Sequence, residues 1–236
     1  MGLIPGPGKR PPFAWVQALR DHRGYALLDA GVVALVFLAD WHHLIYLSKT
    51  PYLFAFGWLS LRLRGLKWSA VGFYQPANWL RTIQLGLLSG IAMEVLELFA
   101  SQPLLVWWTG KYPDLTELGQ LRGNLKLLLL LVAGSWTLAA FGEELVWRGY
   151  LFNRLSDLFG RRAAGLAAAL AVVSVAFGLA HADQGITGVV ENTIDGALLG
   201  LLYLASGRNL WLPIVAHGVT DTVDVLLLYF GWYPGT

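Results

Sequence analysis

The chain of 236 residues has no cysteine. That single absence excludes disulfides, thiolate zinc sites, iron–sulfur clusters and cysteine nucleophiles. Charge is scarce as well. Asp, Glu, Lys and Arg make up 14% of the residues, against about 25% in an average soluble domain. A water-soluble globule of this length needs more charge to cover its surface. The net charge of +2 is too small to argue for a nucleic-acid partner, so none is expected. Residues 1–12 lack the apolar run of a signal peptide.

What the chain has instead is apolar surface. Hydrophobic residues reach 56%, and the mean hydropathy is +0.54. This composition excludes disorder and collagen-like repeats and predicts an integral membrane protein. The expected fold is all-α: a polytopic transmembrane helical bundle of about seven spans (six to eight), with the N-terminus cytoplasmic. Apolar segments near 79–99, 122–146, 163–181, 187–206 and 210–230 approach the roughly 20 residues that a bilayer requires. The stretch 25–63 is long enough for two spans, with a turn near Lys49; one bent span plus an interfacial helix is the alternative. Residues 1–24 read as a flexible or interfacial tail, and 25–236 as one transmembrane domain. With the N-terminus inside, most of the 17 basic residues fall on the cytoplasmic side, among them Arg62, Arg64, Arg154, Arg161, Arg162 and Arg208. Gly86-x-x-x-Gly90 and Gly196-x-x-x-Gly200 allow close helix approach.

A charged side chain in hydrocarbon costs at least ~2.5–3.5 kcal/mol on insertion scales, so it should face protein or water. Three patterns break the apolar helices. In Phe141-Gly-Glu143-Glu144-Leu-Val-Trp-Arg148, at the expected end of a helix, Glu144 and Arg148 are four apart and share a face. Glu143 points about 100° away and is left free by that pairing, which suits a general base or acid. Phe177 and His181 are also four apart, as are His217 and Asp221, with Asp224 one turn further. Each pattern alone has a plain structural reading: charges snorkelling at the membrane border, a histidine at a helix end, a polar pair stitching two helices. Together, two histidines and a glutamate in late apolar helices can activate a water molecule. Glu94, Glu97, Glu191 and Asp195 are further intramembrane carboxylates. Pairing with bundle neighbours is their expected role, and lining a cavity is the alternative. No His-Glu-x-x-His or Gly-x-Gly-Asp occurs, and Ser206 reads as a helix end rather than a nucleophile.

The three patterns, in this order, resemble the CPBP family of intramembrane proteases. That family includes the CAAX prenyl endoproteases and the bacteriocin-processing and immunity proteins of the Abi group. Its pattern is Glu-Glu-x-x-x-Arg, Phe-x-x-x-His and His-x-x-x-Asn/Asp; here Asp221 stands where the prenyl-protein proteases carry Asn. The resemblance covers about 118–230. It implies an intramembrane endopeptidase that acts on a membrane-associated peptide or protein, prenylated or leader-bearing, in a lipid bilayer. Glu143 would be the general base, assisted by His181. His217 and Asp221 would hold the water or the oxyanion, and Glu144, Arg148 and Phe177 would support the site. The family is named for metalloproteases. A divalent metal such as zinc held by Glu143, His181 and His217, or no metal at all, both remain open. The expected setting is a prokaryotic cytoplasmic membrane, with the site in its cytoplasmic half because Arg148 follows the Glu pair. A non-catalytic immunity or scaffold protein that binds a peptide in the same polar cavity is the rival expectation. A small proton-relay transporter is a third.

Overall fold

The computed structural model describes residues 24–45 and 48–236, so the reading of 1–23 as a tail lies outside the described residues. The stretch 25–63 forms two helices, α1 (Gly24–Trp41) and α2 (Lys49–Leu63). The turn between them is closed by an ion pair between Lys49 Nζ and Asp40 at 2.8 Å. Ser48 caps α2, its hydroxyl accepting from the Thr50 backbone N–H at 3.3 Å.

Helix α3 (Trp79–Thr109) is capped by Asn78, which accepts from the Arg81 amide at 3.0 Å. It continues past the expected end near 99 through one π turn, Glu97–Ser101, with Pro103 beyond it. Asn124 starts α4 (Leu125–Phe159) in the same way, accepting from the Leu127 amide at 3.1 Å. Two π segments follow, Ser135–Glu143 and Leu145–Leu151. The helix was expected to end near 146, but it runs 35 residues, about 52 Å at 1.5 Å per residue. The reason is the stretch 152–159 (FNRLSDLF), which is amphipathic and extends the helix beyond its apolar part. The Glu pair therefore lies mid-helix rather than at a terminus. Then come α5 (Ala163–Leu179), α6 (Gly185–Ala205) and α7 (Trp211–Phe230).

No strand occurs among the described residues. Among the described residues, five helices are long and apolar enough to cross a bilayer: α1, α3, α4, α6 with its preceding turn, and α7. Helix α5 is apolar but has 17 residues, and α2 has 15. Leu27, Leu35, Leu88, Leu129 and Leu201 are all more than half exposed. Such a leucine surface suits lipid and not water. The chain is an integral membrane protein with an all-helical bundle fold.

Small residues set the packing. A Cβ on Gly86 would stand 2.5 Å from Val215 Cβ, and one on Gly90 would stand 2.6 Å from the Ala216 carbonyl. Helix α3 thus lies directly on α7. A Cβ on Gly196 would meet Ser174 Cα at 3.1 Å and Phe177 at 3.3 Å, which seats α6 on α5. At one end of the bundle, the start of α1 meets the ends of α2 and α4. There Asp29 accepts from Ser60 at 3.1 Å and from Arg154, and Asp157 pairs with Arg161 at 2.7 Å. The 110–124 segment and the stretch after α7 form the opposite end.

Candidate active site

The three sequence motifs meet at mid-bundle, on α4, α5 and α7. Glu144 is fully buried and sits between two partners. Arg148 Nη1 donates to its Oε1 at 2.5 Å, and His217 Nδ1 reaches the same oxygen at 3.0 Å. Arg148, only 1% exposed, also donates to the Gly196 carbonyl at 3.0 Å and lies 4.7 Å above the Phe177 ring. That carbonyl is within reach because Gly196 has no side chain to hold α6 off α5. A buried guanidinium is costly unless its donors are met; here a carboxylate and a carbonyl meet Nη1 and Nη2, an aromatic face lies against the plane, and Nε alone has no partner. Phe177 packs edge-on against Trp147 at 5.5 Å and against His217 at 6.1 Å. Glu144, Arg148 and Phe177 therefore form the support on which the third motif rests.

His217 uses both ring nitrogens. Nδ1 donates to Glu144, and Nε2 stands 3.4 Å from Asp221 Oδ1. His181 sits just past α5. Its Nδ1 donates to the Phe177 carbonyl at 2.9 Å. A carbonyl only accepts, so that bond fixes the tautomer and leaves Nε2 as the acceptor. Glu143 is half-buried and points to a different face of the helix from Glu144, about 100° away. Its Oε1 accepts from the Thr50 hydroxyl at 3.4 Å. Thr50 comes from the first turn of α2 and was not singled out by sequence, because nothing local links residue 50 to residue 143. A Cβ on Gly142 would stand 3.0 Å from the Thr50 methyl, so the α2 terminus approaches the Glu pair only because residue 142 is glycine. The π segments place Glu143 and Glu144 at a break in regular helix geometry, a common location for functional side chains.

Glu143, His181, His217 and Asp221 all line one cavity of about 290 Å³. Glu144 and Arg148 lie behind its wall. The cavity does not run toward the arginine-rich end of the bundle. It extends the other way, to Pro113, Leu118 and Tyr233. Glu97, Glu191, Asp195 and Asp224 line the same cavity. The expectation that Glu94, Glu97, Glu191 and Asp195 pair with bundle neighbours is met by neutral or acidic side chains and not by bases: Asp224 for Glu94, Asp195 for Glu97 and Gln102 for Glu191. Among the described residues, no ion pair includes any of them or Asp224. Glu97 also accepts from the Tyr233 hydroxyl at 3.2 Å. Sequence spacing missed Tyr233, which lies beyond the last helix.

Among the described residues, no group of three or more His, Asp or Glu side chains could hold a metal ion. His217 already faces a carboxylate at each nitrogen, and His181 has only Nε2 to offer. Glu143, His181 and His217 in this arrangement do not fit a zinc site, which draws its ligands to about 2.0–2.2 Å around one point. Ser206 is no nucleophile candidate. Its hydroxyl bonds the Tyr203 carbonyl at 2.8 Å and accepts from the Asn209 amide at 3.0 Å, closing the end of α6.

No curated protein and no solved structure matches this chain. Residues 125–223, which carry all three motifs, match the model of the Rce1-like family, described as type II CAAX prenyl endopeptidase Rce1-like. This stretch, less than half of the chain, is similar to the Rce1-like family of type II CAAX prenyl endopeptidases.

Proposed function

We propose that this protein hydrolyses a peptide bond of a membrane-associated substrate, with Glu143 as general base. The observation that carries the reading is the division of labour between the adjacent glutamates. Glu144 is buried away from the cavity and holds Arg148 and His217 on its Oε1, while Glu143 faces the cavity with a single hydrogen bond from Thr50. Its second oxygen is available to take a proton from water. His181, with its Nδ1 proton committed to the Phe177 carbonyl, presents Nε2 to accept the water's other hydrogen.

The hydroxide so formed adds to the substrate carbonyl carbon, and the carbonyl oxygen becomes an oxyanion. His217 Nε2 stands 3.4 Å from Asp221 Oδ1, and in its protonated form this nitrogen supplies the donor toward that oxyanion. Collapse of the tetrahedral intermediate breaks the C–N bond, and Glu143 returns its proton to the leaving amine. Glu144 and Arg148 act by holding His217 in place. None of these steps requires a metal.

The chain sits in the membrane with its arginine-rich end toward the cytoplasm, as the positive-inside rule directs, in a prokaryotic inner membrane. On that orientation the far end of the cavity faces away from the cytoplasm. The core of the activity is the segment at about 118–230, within a single domain of residues 25–236. The test is product analysis by mass spectrometry after incubating the reconstituted protein with a set of membrane-anchored peptides. A single cut by the wild-type chain, abolished in His181→Ala at unchanged thermal stability, is expected. Binding without any product in the wild-type chain favours the non-catalytic scaffold.

A further inference from the structure

The cavity has a second half that the hydrolytic reading does not use. Glu97 from α3, Glu191 and Asp195 from α6, and Asp224 from α7 all open onto it beyond the His217–Asp221 pair. Glu191 is only 5% exposed, and its Oε1 has no hydrogen-bond partner. Asp224 Oδ1 has none either, and Glu94, 4% exposed behind them, faces the Asp224 carboxyl rather than a base. No basic side chain pairs with any of these acids among the described residues. Carboxylates at membrane depth are costly unless something with donors meets them. The acids come from three helices and line a wall. They do not converge on a point, as the absence of a metal-holding group among the described residues shows. A compact cation needs ligands drawn in to about 2.0–2.6 Å. A guanidinium or ammonium, with several donors spread over its own width, suits a wall of acceptors.

We propose that Glu97, Glu191, Asp195 and Asp224 form a subsite for a lysine or arginine side chain of the substrate peptide, close to the bond that is cut. The proposal rests on the hydrolase reading for the identity of the ligand as a peptide. It departs from an aliphatic or prenylated tail as the group read at this position. One cavity holds both ends, so a peptide whose scissile carbonyl lies at Glu143 places a neighbouring side chain among the four acids.

The test uses the full chain in detergent micelles and a set of fluorescent, acyl-anchored peptides that differ at one position: arginine, lysine, norleucine or glutamate. Binding is read by anisotropy on the Glu143→Gln variant, so that cleavage does not interfere, and cleavage is read separately on the wild-type chain. Arginine or lysine peptides should bind at least about 10-fold more tightly than the norleucine peptide, the factor that one charge-assisted hydrogen bond provides. Adding Glu191→Gln and Asp224→Asn should bring that ratio close to one. Asp195→Asn is the independent variant if the first pair unfolds. Equal binding of all four peptides, no binding at all, or a preference that survives the amide substitutions overturns the proposal. So does saturable binding of sodium or calcium alone at the four acids with no peptide preference. If the arginine preference is present but no peptide is ever cut, the subsite stands and the hydrolytic reading fails.

Discussion

Glu144 and His217 are joined by a 3.0 Å hydrogen bond from the imidazole Nδ1 to Oε1. This bond links the first motif on α4 to the third on α7, 73 residues later in the chain. Because Arg148 donates to the same oxygen, the carboxylate is the joint on which two otherwise separate pairs turn. The helical spacing of four between Glu144 and Arg148 anticipates half of this arrangement. The other half is tertiary.

Removing that joint should cost stability. Glu144→Ala leaves Arg148 buried with no counter-charge, and breaking a buried pair on one side typically costs about 3–5 kcal/mol. For a chain of this size the melting temperature should fall by on the order of 10 °C, read by thermal unfolding in detergent. The double variant Glu144→Ala/Arg148→Met, which removes the orphaned charge as well, should recover a large part of the loss. A double variant no more stable than the single one contradicts the pairing.

Thr50 should set the efficiency of Glu143 without touching substrate. Thr50→Val keeps the shape and removes the donor to Oε1. A hydrogen bond of about 1 kcal/mol net corresponds to a fall in kcat of roughly fivefold, with KM little changed. Thr50→Ser should restore the rate. Steady-state kinetics on a cleaved reporter separate the two variants, and equal rates in both would remove Thr50 from the mechanism.

Asp221 faces His217 Nε2, and the resembling prenyl-protein proteases carry Asn at this place. Asp221→Asn keeps a polar group of the same size opposite the imidazole and should retain activity within about 10-fold, the effect of a lost charge-assisted contact. Asp221→Leu, which leaves Nε2 without a partner, should reduce cleavage far more. Activity in Asp221→Leu equal to that in Asp221→Asn would show that the residue plays no part.

Glycines divide by what lies over them. Gly90→Val puts a branched side chain where a Cβ already meets the Ala216 carbonyl at 2.6 Å. Pushing α3 off α7 should cost about 1–3 kcal/mol or more. Gly31, on α1, has nothing within 4 Å of a built Cβ. Gly31→Ala should leave the melting temperature unchanged or raise it, since alanine favours the helix by ~0.5–1 kcal/mol. Thermal unfolding of both variants side by side checks this.

The legible part of the molecule is the part encoded by local spacing. Apolar runs predict the helices, and i, i+4 pairs predict which motif residues share a face. The turn at Lys49 was legible because charge and proline interrupt two apolar runs there. Helix ends were not always legible. Helix α4 outlasts its apolar stretch because residues 152–159 change from an apolar to an amphipathic pattern without a break. The role of Glu94, Glu97, Glu191 and Asp195 was open, since one sequence does not say whether a partner waits on another helix. Thr50 and Tyr233 were invisible for the same reason. Each acts on a carboxylate far away in the chain, 93 and 136 residues distant respectively.

The central claim is that Glu143, and not Glu144, is the base. The direct measurement is the single-turnover rate of cleavage of a membrane-anchored peptide by the reconstituted wild-type chain and by Glu143→Gln, with melting temperatures measured on the same preparations. The account predicts an unchanged melting temperature, because Glu143 is only half-buried and makes one long hydrogen bond, and a rate lower by at least about 10²-fold, the lower range for loss of a general base. Full cleavage by Glu143→Gln at that unchanged stability would contradict it.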